Sequence, residues 1–130
     1  MELPPVRVAR VLETCLYADD LAAAERFYGE VLGLEPFARV EGRHAFFRCG
    51  DAMLLVFAPA VTSTAPGAVG GVAMPAHGTR GAGHVAFAVA ESALPAWERR
   101  LAEAGLAIEA RIDWPRGGRS LYVRDPAGNS

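Results

Sequence analysis

The 130 residues of this chain have the usual length of a single domain. A formal net charge of −2 leaves no basic footprint for nucleic acid, and no apolar run approaches the roughly 18–20 residues that span a bilayer. The N-terminus lacks the basic stretch and apolar core of a signal peptide, and Cys15 and Cys49 do not stand at metal-site spacing. We therefore expect a cytoplasmic protein with free thiols, which binds neither nucleic acid nor a membrane.

The first half of the chain predicts one strand, one amphipathic helix and three further strands. The strand is expected at 12–18 and the helix at 20–32, because apolar residues recur there with a period of 3.6. Asp19 or Asp20 can cap the helix, and Gly33 can end it. The later strands are expected at 36–40, 44–49 and 52–58, with a turn at Gly50 between the last two.

The second half begins after an aperiodic segment, residues 60–82, which we expect to be a mobile linker. A strand at 84–90 and a helix at 93–104 follow, with Ser92 as the candidate cap and Gly105 as the stop. Strands are expected at 106–114 and 119–124, joined by a Pro- and Gly-containing hairpin loop.

The two halves superpose as a repeat, in which Glu13 falls on His84 and Leu16 on Phe87. The repeat predicts an α+β fold of two βαβββ modules, whose curved mixed sheets surround a shared cavity. Module one covers about residues 7–59 and module two residues 83–130. By the repeat a last strand follows the turn at 125–129, and we expect that strand to be missing from this chain.

Side-chain alternation assigns the faces of the two repeat-related strands. In the second module Val85, Phe87 and Val89 suit packing against the helix, so His84 and its two alanine neighbours point the other way. The corresponding face of the first module carries Glu13, Cys15 and Tyr17. If the modules pair about a pseudo-twofold axis, Glu13 and His84 converge in one concavity. Either residue alone is more often solvated, but a carboxylate buried in such a cavity needs a cation or hydrogen bonds.

Three stretches of the chain (12–34, 83–89 and 117–129) resemble the vicinal oxygen chelate superfamily, which includes glyoxalase I, extradiol dioxygenases, fosfomycin-resistance transferases and bleomycin-binding proteins. The resemblance implies metal ligands on the first and fourth strands of each module. Carried over, these positions are Glu13, Leu55, His84 and a Glu two residues beyond Ser130, and Leu55 cannot bind a metal. The resemblance thus implies a divalent metal such as zinc, nickel, manganese or iron.

Two function classes follow from this resemblance. The first is a metal-dependent enzyme, a glyoxalase-like lyase or isomerase or a dioxygenase-like enzyme, in which a metal chelates neighbouring oxygens of a small metabolite. Glu13 and His84 would then be both its ligands and its catalytic residues. The alternative is a metal-free binding protein of the bleomycin-resistance type, which Leu55 favours by adding apolar surface. We expect a homodimer in either case, since two open sheets leave edges and apolar faces to cover.

Further residues are candidates for the wall of a substrate pocket. His77, on the linker, is either an acid–base group or ligand folded over the cavity or an exposed loop residue. Arg119 either binds an anionic group or is solvated, Trp114 is either a pocket wall or core, and His44 is expected to be structural or exposed. No base is identifiable beside Cys15, which argues against a nucleophile. The other pocket candidates are Tyr17, Leu55, Phe57, Ala86 and Tyr122.

Overall fold

The structure is a computed structural model that describes residues 6–130. Its largest element is a four-stranded sheet in the order β1-β4-β3-β2. These strands are β1 (Glu13–Tyr17), β2 (Glu35–Val40), β3 (His44–Cys49) and β4 (Ala52–Phe57). Strand β1 runs parallel to β4, whereas β4 and β2 run antiparallel to β3. The four strands predicted for module one are therefore confirmed, each to within one residue at either end.

The first helix begins as α1 (Leu21–Glu25) and continues as a π-helix over Arg26–Val31. The side chain of Asp20 caps it by accepting a hydrogen bond from the Ala23 amide at 3.0 Å. The π turn adds a residue to the helical repeat, and the consecutive Phe27 and Tyr28 are both buried against the sheet. The 3.6-residue period of the apolar residues predicts that Tyr28, but not Phe27, lies on the buried face of this helix.

The predicted linker carries secondary structure of its own. Helix α2 (Pro59–Thr62) starts with a proline, whose fixed φ suits a first helical position. A small hairpin of β5 (Ala68–Val69) and β6 (Val72–Ala73) follows it. Its two-residue turn is Gly70-Gly71, where φ is +59° and +81°, as a tight hairpin requires. The segment predicted as an aperiodic linker therefore contains short elements of its own, and its mobility stays a prediction.

The second module contains α3 (Leu94–Glu103), entered through a 3₁₀ turn at Glu91–Ala93. A hairpin of β7 (Ala110–Asp113) and β8 (Arg119–Tyr122) follows it. The predicted Ser92 cap is wrong, because Ala93 occupies the cap position and no side chain caps the helix. The predicted strand at 84–90 joins no sheet, and the one at 106–114 shortens to β7. No helix within residues 6–130 has the length and apolar character to cross a membrane.

A buried polar network joins the two modules. The Tyr28 hydroxyl donates to Oδ2 of Asp125 at 2.7 Å, and Oδ1 of Asn129 accepts from the Gly83 amide at 2.7 Å. Phe87 packs on the core of module one, with its ring centroid 6.4 Å from that of Tyr28. The helix of module one is thus in contact with both its own sheet and the start of module two.

Candidate functional site

One face of the four-stranded sheet carries most of the candidate side chains. Alternation along β1 puts Glu13, Cys15 and Tyr17 on the same side. The parallel register places Leu55 opposite Cys15 and Phe57 opposite Tyr17. The antiparallel register with β3 adds two more rings. We call this surface the site face: Glu13, Cys15, Tyr17, His44, Phe46, Leu55 and Phe57.

His77 of the linker folds onto the site face. Its Nδ1 lies 2.7 Å from the Tyr17 hydroxyl, and its ring stands edge-on to Phe57 with centroids 4.7 Å apart. Its backbone amide donates to the carbonyl of Thr62 at 3.1 Å, which ties it to α2. Burial, and secondly the nearby Cys15, raise the pKa of Tyr17. His77 is therefore exposed and also in contact with the site face, and its role as an acid–base group or ligand stays a prediction.

His44 is a member of the site face that the sequence-based interpretation did not place there. Its ring stacks on Phe46 with centroids 3.9 Å apart and meets Phe57 edge-on at 5.8 Å. Its Nδ1 is buried without a hydrogen-bond partner. Burial, and secondly the neighbouring Arg43, lower its pKa. The sequence alone could have placed His44 on this face, because His44 and Phe46 alternate along their strand as Cys15 and Tyr17 do along theirs.

The Cys15 thiol lies beside Glu13 on the same strand face. Burial raises its pKa, and the neighbouring Glu13 raises it further. Both effects favour the protonated thiol over the thiolate, which is the reactive form. Cys15 therefore lines the site face, and its surroundings do not activate its thiol as a nucleophile.

Glu13 and His84, the predicted metal ligands, are both exposed side chains. Within residues 6–130, no group of three metal-capable side chains is assembled. Leu55, at the implied second ligand position, is 6% exposed and apolar. Two donors do not make a complete metal site, because zinc sites use at least three protein ligands. Neither predicted ligand belongs to a cluster of three or more metal-capable side chains in the described part of the chain.

A second feature is a cavity of about 520 Å³ that opens between residues 84–89 and β8. Its floor is apolar and includes Phe27, Leu34 and Leu101. We call it the module-two groove. Four of the predicted site residues line it, namely His84, Ala86, Arg119 and Tyr122. The candidates therefore divide between two places, the site face and this groove.

Trp114 and Arg119, two pocket candidates in the β7–β8 hairpin, form side-chain hydrogen bonds within the hairpin itself. The Trp114 Nε1 donates to the Ser120 hydroxyl at 2.8 Å, and its ring is 44% exposed. Trp114 does not line the groove and is exposed, so the core interpretation is wrong and its role as a pocket wall stays a prediction. Arg119 donates from Nε to Oδ1 of Asp113 at 2.6 Å, and this hydrogen bond raises its pKa. Its charge is thus already paired in an exposed ion pair.

The family model described as Glyoxalase/Bleomycin resistance protein/Dioxygenase superfamily matches residues 8–130. A solved lactoylglutathione lyase from Agrobacterium tumefaciens shares 41% identity at a TM-score of 0.83, over 97% of this chain and 90% of that one.

Two further solved structures are more distant and support the fold alone. A glyoxalase/dioxygenase from Nostoc punctiforme is 24% identical, with a TM-score of 0.69 over 99% of this chain and 92% of that one. A glyoxalase/bleomycin resistance protein/dioxygenase from Nocardioides is 23% identical, with a TM-score of 0.69 over 96% of this chain and 82% of that one. The comparison with curated proteins finds no match.

Proposed function

Since this chain belongs to the Glyoxalase/Bleomycin resistance protein/Dioxygenase superfamily, we propose that it is a glyoxalase-type lyase whose substrate binds on the site face. The observation that carries the proposal is the row of Glu13, Cys15 and Tyr17 beside a wall of aromatic rings, with His77 folded over one end. The 41% identity to a lactoylglutathione lyase supports the reaction class. The substrate class we propose is the adduct of a 2-oxoaldehyde with a thiol.

Converting such an adduct to a hydroxy thioester moves one proton from the carbon that bears the sulfur to the neighbouring carbonyl carbon, and the hydroxyl proton on the first carbon passes to the oxygen of the second. A base takes the proton from the carbon that bears the sulfur and returns it to the former carbonyl carbon. Glu13 is the proposed base, because its carboxylate is exposed on the site face and free to reach a bound substrate. Leu55, which lies opposite Cys15 next along this face, would exclude water from one side of the reacting atoms.

Tyr17 and His77 have a different proposed role. Four residues of a strand span about 13 Å, so Glu13 and Tyr17 lie at opposite ends of the site face. One reacting carbon cannot contact both side chains. We assign the Tyr17–His77 pair to a distant polar part of the substrate, which it would hold by hydrogen bonds.

Glu13 and His84 also remain the proposed ligands of a divalent metal, such as zinc, nickel, manganese or iron. When bound, such a metal would polarise neighbouring substrate oxygens. No group of three metal-capable side chains is assembled among the described residues, so further donors are needed to complete a site. The proton transfer assigned to Glu13 is therefore stated without a step that depends on the metal.

Steady-state kinetics with methylglyoxal and glutathione test the function directly. We expect Glu13→Gln to lower kcat by about 10²-fold or more, because a lost general base costs that much. Tyr17→Phe should raise KM and leave kcat nearly unchanged. Glu35→Gln, an exposed carboxylate on another strand, is the matched control. Turnover that is equally fast in Glu13→Gln would refute the assignment of the base.

A second candidate function is metal-free binding of a small apolar or aromatic ligand. The observation that favours it is the burial of Leu55 and Phe57, 6% and 7% exposed, on the same face as three other rings. Calorimetric titration with aromatic ligands in the presence of a chelator separates the two functions. Tight binding without metal or turnover would favour the binding protein.

We further propose that the protein works as a homodimer. Strand β2 is an edge of the four-stranded sheet, and Val40 on it is 48% exposed. An exposed apolar edge is a site for pairing with another chain. A second copy would also cover the site face.

A further inference from the structure

The β5–β6 hairpin has two different sides. Val69 pairs directly with Val72, so these two side chains lie on the same side of the hairpin, and the hydrogen bond at its base places Met74 on that side as well. The three residues are 68%, 71% and 37% exposed. The opposite side carries the paired Ala68 and Ala73. The hairpin thus presents one side of large apolar groups to water and one side of small groups.

The chain is fixed to the body of the protein on both flanks of this hairpin. Before it, the guanidinium of Arg43 donates hydrogen bonds to the carbonyls of Ala65 and Pro66. After it, the ring of His77 contacts the Tyr17 hydroxyl. Both anchors stand at the same end of the site face, because Arg43 directly precedes β3 and the first residue of β3 lies level with Tyr17 across β4.

Between these anchors the chain is free to pivot. Every residue from 67 to 76 is exposed, so a movement of the hairpin leaves the core undisturbed. Gly67 stands at its base with φ of +90°, in a region where glycine alone is unstrained, and glycine also accepts large changes of φ. The hairpin is therefore a short arm with a flexible base beside the site face.

We propose that the β5–β6 hairpin is a lid, which turns at its base and lays its apolar side over the Tyr17 half of the site face when a ligand binds there. This inference rests on the proposed function, because it takes the site face as the binding surface. Three residues of a strand span about 10 Å, so the hairpin reaches the level of Cys15 and Leu55 and stops short of Glu13.

Closure would bury the apolar side of the hairpin and the rings of Phe46 and Phe57 together, with the ligand between them. It would also exclude water from the Tyr17–His77 pair, which strengthens the hydrogen bonds that this pair makes to a substrate. The proposed base, Glu13, stays outside the covered half and is reached by the reacting carbon alone.

The native thiol of Cys15, which is exposed on the site face, makes the closed position measurable. In a Cys49→Ala background, Val69→Cys puts a second thiol on the apolar side of the hairpin, and Ala68→Cys puts it on the opposite side of the same strand. Oxidation with copper phenanthroline joins two thiols only where their Cβ atoms approach to about 3.5–4.5 Å. We expect a disulfide within one chain to form at least tenfold faster in Val69→Cys than in Ala68→Cys.

The outcomes separate the lid from its alternatives. Val72→Cys should behave as Val69→Cys does, and the unfolding temperature of each reduced variant shows that it folds. Equal rates from both sides of the hairpin, or no disulfide from either, would overturn the proposal. Disulfides that join two chains would overturn it as well, because the hairpin would then cover a second copy.

Kinetics with methylglyoxal and glutathione test the consequence for binding. Replacing residues 68–73 by Gly-Gly keeps a two-residue turn at the base and removes the lid. We expect this variant to keep the unfolding temperature and to raise KM about tenfold, and an unchanged KM would contradict the lid. If the unaltered protein shows no turnover, the proposed function fails, and disulfide formation alone decides whether the hairpin closes.

Discussion

The hydrogen bond between Tyr28 and Asp125 is the contact whose removal we expect to weaken the link between the modules. The tyrosine is 2% exposed and Asp125 6% exposed, and the two atoms are 2.7 Å apart. Oxygens of Asp125 also accept from the Ala127 and Asn129 amides and from the Asn129 side chain. This buried carboxylate is therefore stabilised by uncharged donors, and Tyr28→Phe removes one of four.

The stability that Tyr28→Phe should lose follows from the type of hydrogen bond it removes. A hydrogen bond to a charged group contributes about 1.5–3 kcal/mol, and phenylalanine fills the same space without leaving a cavity. For a domain of this size, we expect Tyr28→Phe to lower Tm by roughly 5–12 °C. Urea titration followed by circular dichroism measures the loss. Tyr17→Phe, which removes an exposed hydrogen bond, is the control and should cost less than about 1 kcal/mol.

The same pair predicts a dependence on alkaline pH. Burial, then the hydrogen bond and charge of Asp125, raise the pKa of Tyr28 above its usual value near 10. Above pH 10 the unfolded chain loses this proton and the folded chain keeps it, so stability falls as pH rises. Tyr28→Phe should flatten that slope. A loss below about 0.5 kcal/mol at neutral pH, with an unchanged alkaline slope, would refute the reasoning.

Three further outcomes are expected. A Cβ at Gly83 would lie 3.1 Å from Asn129 Oδ1 and 3.2 Å from a Leu16 methyl. Gly83→Ala should therefore lower the free energy of unfolding by about 1–3 kcal/mol in denaturant titrations. Gly29→Ala is the control, because its Cβ would make only an ordinary contact and should not cause this loss. Because burial lowers the pKa of His44, stability should fall as pH drops below about 6.5, and the slope should shrink in His44→Phe. Sedimentation at micromolar concentration should give a dimer, and a monomer would contradict the proposed assembly.

The strands of module one could be predicted because local sequence and tertiary partner agree there. Alternation and the Gly50 turn specify β3 and β4 as neighbours, and β1 pairs with β4 in the same sheet. Residues 84–90 carry the same local signal as β1 and form no strand. A strand is defined by its hydrogen bonds to a neighbouring strand. A segment with the correct alternation of side chains is therefore extended but forms no hydrogen-bonded ladder where no strand pairs with it.

For the site, alternation was sufficient to group Cys15 with Tyr17, and the family resemblance added Leu55. It was not sufficient for His77, because no period governs a linker and the position of that ring depends on α2 and Phe57. His44 was missed for a different reason. Its strand was predicted correctly, and its face could have been read from the same alternation that places Phe46.

One buried amide side chain links the His84 segment to β1 by hydrogen bonds, in addition to the packing of Val85 and Phe87 on the core. Oδ1 of Asn129 accepts from the Gly83 amide at 2.7 Å, while its Nδ2 donates to the Tyr17 carbonyl at 3.2 Å. Asn129 thereby connects the residue before His84 to the strand that carries Glu13. The same Nδ2 also donates to Oδ2 of Asp125 at 2.9 Å, and Asp125 accepts a hydrogen bond from the Tyr28 hydroxyl. The distance between the two repeat-related positions therefore depends on the turn at 125–129, because this network is what orients the two segments before any ligand binds.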